Sequence, residues 1–186
     1  MGESQDVLQV LVRDHREVER LFAAFDVSTD PVQQRELVDH MIIELVRHTI
    51  AEEEYLYPAI RKALPSGDAI ADKEIAEHAE AERTMNALDG LSPDHTDFPL
   101  LVEQLEAEIR AHVREEEDVI FPQLEEVLPL EERKALGQKV VHAKEHAPTH
   151  PHPHAPDKPP FNKALAPGAA LVDRIRDHLT GRGRQS

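Results

Sequence analysis

Near the ends of two long helical patterns a histidine and a glutamate stand four residues apart, as His48-Thr-Ile-Ala-Glu52 and His112-Val-Arg-Glu-Glu116. On a helix, residues at that spacing share one face, so each pair aims an imidazole nitrogen and a carboxylate into one volume. A lone histidine, His15 or His78, lies a little over thirty residues before each pair. Acidic residues, an aromatic and a proline follow each pair, as Glu53-Glu54-Tyr55-Leu56-Tyr57-Pro58 and Glu117-Asp118-Val119-Ile120-Phe121-Pro122. The set offers four imidazoles and two carboxylates able to bridge, which suits two metal ions held between four helices. Octahedral ions need further donors: a bridging oxide or hydroxide, another side chain, and an open position. A lone helical histidine is ordinarily a satisfied core residue, and a glutamate near a bundle end is ordinarily solvated. Repetition decides against that reading here, because unpaired buried imidazoles and carboxylates are costly.

The repeat extends beyond the donors. A shift of 63 carries Asp14-His15-Arg16-Glu17-Val18-Glu19-Arg20 onto Glu77-His78-Ala79-Glu80-Ala81-Glu82-Arg83, and a shift of 64 carries His48, Glu52, Tyr57 and Pro58 onto His112, Glu116, Phe121 and Pro122. Two helical hairpins of one design, facing each other across a pseudo-twofold axis, would bring the motifs together. Apolar periodicity predicts helices over about 5–25, 31–64, 69–88 and 98–127, with Ser4 and Asp30 as N-caps and Pro31 in a first turn. Pro58 and Pro122 should kink the second and fourth helices or end their regular parts. Short connections make this an all-α, up-down-up-down antiparallel four-helix bundle over residues 1–128, with repeat halves at about 5–64 and 69–127. A further helix is expected over 129–144. A His/Pro-rich linker follows over 145–167, then a short amphipathic helix over 168–180 and a basic tail over 181–186.

Composition narrows the chemistry. With no cysteine in 186 residues, any metal must be held by imidazole and carboxylate, which favours iron, manganese or zinc. A net charge of −16 argues against nucleic acid and anionic membranes as partners. No apolar run is long enough to span a bilayer and the N-terminus lacks a signal-peptide pattern, so a cytoplasmic protein is expected. The ferritin-like arrangement needs Glu-x-x-His, and no histidine here has a glutamate three residues before it.

Over about Val7 to Leu128 the doubled motif resembles the hemerythrin-like, or HHE cation-binding, family of four-helix bundles with a non-haem di-iron centre. The resemblance implies that His15 and His48 ligate one iron, that His78 and His112 ligate the other, and that Glu52 and Glu116 bridge them. Classical oxygen carriers of the family have a second histidine on helix 3, four residues after the first. Glu82 stands there, and as a hard carboxylate ligand it would stabilise ferric iron and disfavour reversible oxygen carriage. Its mate Glu19 is open to three readings: ligand, supporting partner, or solvated pair with an arginine. Classical members also place the helix 4 carboxylate five residues after its histidine, at Glu117 here, whereas the repeat favours Glu116.

Tyr55, three residues after Glu52, should share the face of the donors, either as an amphipathic core or rim residue or as a phenol close to the irons; its mate is Val119. Tyr57 and Phe121 read as packing. Glu44 and Glu108 are candidates to orient the motif histidines, and Glu53 and Glu117 read as solvated. The expected function is a di-iron protein that binds or breaks down a small oxidant, peroxide ahead of oxygen or nitric oxide, in oxidative-stress defence. The alternative is a non-enzymatic oxygen or iron sensor or storage module.

Overall fold

The computed structural model describes residues 5–151. Among them every regular element is helical. Helix α1 (Val7–Val27) is capped by Asp6, whose carboxylate accepts from the Leu8 amide at 3.0 Å. Ser4, the expected cap, lies outside the described residues. Helix α2 (Pro31–Ala51) starts as its sequence predicts: Asp30 accepts from Val32 at 3.0 Å and Pro31 occupies the first turn.

The two long motif helices are not continuous. A π-helical turn, Glu52–Leu56, separates α2 from α3 (Tyr57–Ala63). A second, Glu116–Ile120, separates α5 (Phe98–Glu115) from α6 (Phe121–Val127). In each, the amide just before the proline reaches five residues back, Tyr57 to the Glu52 carbonyl and Phe121 to the Glu116 carbonyl. Pro58 and Pro122 have no amide hydrogen to donate, and their rings would clash with the carbonyl four residues back. Widening the turn by one residue relieves both problems. Each π turn begins on the motif glutamate.

Helix α4 (Gly67–Leu88) runs beside α5. Lys73 meets Glu115, Glu74 meets His112 and Thr84 meets Glu108, so the two are antiparallel. Helix α1 meets α5 and the π turn that follows it in the same sense, through Arg110 with Glu19 and Arg16 with Glu117. Helix α7 (Leu130–His146) closes over α1 and α2. Buried apolar side chains form two clusters. One contains Leu11, Leu56, Ile60, Ile120, Leu124 and Val140. The other contains Phe22, Met41, Leu45, Met85, Phe98 and Leu105.

Candidate metal centre

Six of the seven expected ligands come together as buried residues. His15, His48, Glu52 and Glu116 form one group of converging donor atoms, and Glu52, His78 and His112 form another. Glu52 belongs to both: its Oε1 lies 3.2 Å from His48 Nε2 and its Oε2 lies 3.4 Å from His78 Nε2. Glu116 repeats the arrangement in weaker form, with Oε2 3.3 Å from His15 Nε2 and 3.6 Å from His112 Nε2. Both carboxylates are 0 % exposed. These atoms are close, yet His15 Nε2, both Glu52 oxygens and Glu116 Oε2 make no hydrogen bond of proper geometry. Buried polar atoms left so are expensive. Lone pairs aimed at shared points, rather than at one another, fit metal ions as the missing partners.

The outward ring nitrogens are held by a second set of acids. His15 Nδ1 lies 2.8 Å from Glu117 and His78 Nδ1 lies 3.0 Å from Glu53. A carboxylate accepts, so each Nδ1 carries the proton and each Nε2 lone pair faces the centre. Glu53 and Glu117 are repeat mates, and each crosses to the first histidine of the opposite half. Their expected solvation is therefore corrected: the π turn swings the residue after each motif glutamate inward. Asp14 and Glu77, also mates, stand 3.5 Å from His48 Nδ1 and 3.4 Å from His112 Nδ1. Lys144 on α7 holds Asp14 at 2.7 Å. Glu44 and Glu108 do not orient the histidines; Glu44 pairs with Arg47, and Glu108 accepts from Thr84 and Gln104.

Charge balance follows. Burial alone would lower the His48 pKa, but Glu52 and Asp14 push it up to about 9. Burial would likewise lower His112, which Glu116, Glu74 and Glu77 hold well above its usual range. Burial would raise Glu52, which His48 and His78 keep well below the ordinary carboxylate value.

Glu82 stands elsewhere than a ligand would, and Tyr55 takes the rim position rather than the phenol role. Glu82 is half-buried, one turn beyond His78, at a level where α4 faces the Glu108 part of α5, and it joins none of the buried donor groups. The carboxylate of α4 that does join is Glu74, four residues before His78. It is 0 % exposed, 2.9 Å from His112 Nδ1, and grouped with His112 and Glu116. Because α5 runs antiparallel to α4, moving back along α4 approaches Glu116, whereas moving forward leaves it. The repeat itself held the signal: a shift of 63 pairs Glu74 with Leu11, a carboxylate against a core leucine.

Tyr55 is half-buried and packs at the edge of the first apolar cluster. The phenol in the centre is Tyr57, fully buried, with its hydroxyl 2.9 Å from His78 Nε2 and 3.5 Å from Glu116 Oε1. A π turn spends an extra residue per turn, so the residue brought back over Glu52 is five positions on, where a regular helix would bring the fourth. Burial and the surrounding carboxylates raise the Tyr57 pKa well above its usual value, so the phenol keeps its proton. Its mate Phe121 stacks on His15 with ring centroids 6.0 Å apart. Glu19 resolves as a surface pair with Arg110.

A pocket of about 370 Å³ opens between α1 and α5 and reaches His15. Val18, Phe22, Ile109 and Val113 give it apolar walls, and Arg16 and Arg110 stand beside them.

Residues 6–124 match the family described as the Hemerythrin HHE cation binding domain. The chain belongs to the hemerythrin HHE family. It is 28% identical over 174 residues to an uncharacterized hemerythrin-like protein of Schizosaccharomyces pombe, covering 93% of this chain and 86% of that one. It is also 31% identical over 140 residues to a Nostoc protein named DNA nickase, covering 75% of this chain but only 38% of that protein. No solved structure matches this hemerythrin-family chain significantly.

Proposed function

We propose that this protein holds two non-haem iron ions, with a bridging oxide or hydroxide, and reacts with a small oxidant, peroxide ahead of oxygen or nitric oxide. The supporting observation is Glu52, whose two buried oxygens divide between His48 and His78. His15 and His48 would serve one ion, His78 and His112 the other, and Glu52 and Glu116 both. Glu74 takes the hard-donor role expected of Glu82, and Tyr57 the phenol role expected of Tyr55. Bound iron would supply Lewis acidity and a change of oxidation state. The chain supplies the rest. Glu53 and Glu117 fix the imidazole tautomers, and Tyr57 offers a hydroxyl hydrogen beside His78 and Glu116. The apolar pocket at His15 admits a small molecule on the side with fewer protein donors, since Glu74 and Tyr57 both lie on the other.

A nickase role does not carry over. The chain spans about two fifths of that relative, and its charge of −16 opposes a phosphate backbone. The sensor or storage reading draws support from Lys144, which connects α7 to His48 through Asp14. Peroxide added to purified iron-loaded protein separates the readings. Sustained gas evolution, slowed in Tyr57→Phe and unchanged in Tyr55→Phe, is expected. A reversible oxygen-dependent absorption change without turnover would favour the sensor.

A further inference from the structure

A second donor group lies on the exposed last turn of α7 and shares no residue with the buried acids and imidazoles. It comprises His142, Glu145 and His146. Each offers one ligand atom within 4.8 Å of the others, and the two rings approach to 4.3 Å between centroids. Spacings of three and four residues put all three on one helical face. Exposed side chains can meet in this way without a ligand, so proximity alone decides little.

The decisive detail is the His146 ring. Its Nδ1 lies 2.8 Å from the His142 backbone carbonyl. A carbonyl only accepts, so Nδ1 carries the hydrogen and donates it. The neutral ring then presents Nε2 as a lone pair, oriented and fixed in tautomer as ligating histidines usually are. Helix position adds to this. The last turn of a helix leaves carbonyl groups unpaired and carries partial negative charge, which favours a cation there. The next histidine along, His150, is engaged elsewhere, buried and 2.9 Å from Asp89.

We propose that His142, Glu145 and His146 form an exposed site for a borderline divalent cation, zinc in the first instance. Two imidazoles and a carboxylate, with solvent in the remaining position, suit zinc, nickel or copper(II) better than magnesium or calcium. Only three protein donors are present and all face water, so binding is reversible and micromolar. A bound ion would pin the turn of α7 that also carries Lys144.

Calorimetric titration of the full-length, iron-loaded protein with Zn²⁺ tests this apart from the buried centre. Wild type should take up one zinc per chain with micromolar affinity. His142→Ala/His146→Ala should weaken that step roughly tenfold or more, at least what loss of a supporting partner costs a metal site, with iron content unchanged. Glu145→Gln should weaken it less. His152→Ala/His154→Ala should leave it intact. An unchanged isotherm in His142→Ala/His146→Ala would overturn the assignment. So would binding abolished by His152→Ala/His154→Ala, or only millimolar binding in wild type.

Discussion

Glu74 and Tyr57 are where the two halves of the repeat diverge, set against Leu11 and Phe121. Four imidazoles and two carboxylates are common to both halves and can hold a metal pair. The extra acid and the phenol sit on the His78 and His112 side and make the two positions inequivalent. Replacing Glu74 by Gln keeps the shape but removes a charge, so metal analysis should show clear loss of iron from Glu74→Gln and none from Glu82→Gln. Equal retention by both variants would remove Glu74 from the centre. Protonation gives a second expectation. His48 binds its proton up to about pH 9 in the folded chain, against an ordinary 6.5. In protein stripped by a chelator, that contribution to stability is complete below pH 6.5 and disappears as the pH rises through 9. The urea midpoint should fall across that interval, and less so in His48→Gln. Iron-loaded protein should lack the slope, because the metal replaces the proton. The six residues that converge were legible from sequence because the four-residue spacing and a repeat at an offset of 63 or 64 expose them. Glu74 was not, because it precedes its histidine and breaks the repeat.

At the level of elements, the π turns decide which side chains reach the centre. Proline at 58 and 122 signalled an interruption, but periodicity at 3.6 residues per turn could not show that the turn would widen. That wider turn brings Tyr57 over Glu52 and turns Glu53 and Glu117 inward. Helix α7 was predicted nearly to its ends, yet its role depends on contacts distant in sequence. A Cβ at Gly137 would overlap the Gln5 carbonyl oxygen, and backbone cannot yield as a flexible side chain can. Gly137→Ala should therefore cost about 1–3 kcal/mol in denaturant unfolding. Lys144→Met should leave the fold intact while weakening iron retention roughly tenfold through Asp14 and His48. A stable Gly137→Ala, or full iron affinity in Lys144→Met, would show that α7 is only an accessory.

Across the whole molecule, buried charge lies between two apolar clusters with pairings that span the bundle. Six buried acids and bases facing one another are a poor way to stabilise a core and a good way to hold cations. The antiparallel order of the helices turns a sequence repeat into a spatial one, so each half contributes to both buried donor groups. The described helices include none long and apolar enough to cross a membrane. Of the His/Pro-rich linker expected over 145–167, the part from 152 onward lies outside the described residues, as do the amphipathic helix expected over 168–180 and the basic tail. The central claim is that this centre holds two irons that meet an oxidant. Metal analysis of the purified protein, with an optical spectrum before and after peroxide, tests it most directly. Two irons per chain and a spectrum that changes on addition of peroxide are expected. About one zinc per chain with no iron, and a spectrum indifferent to peroxide, would contradict it.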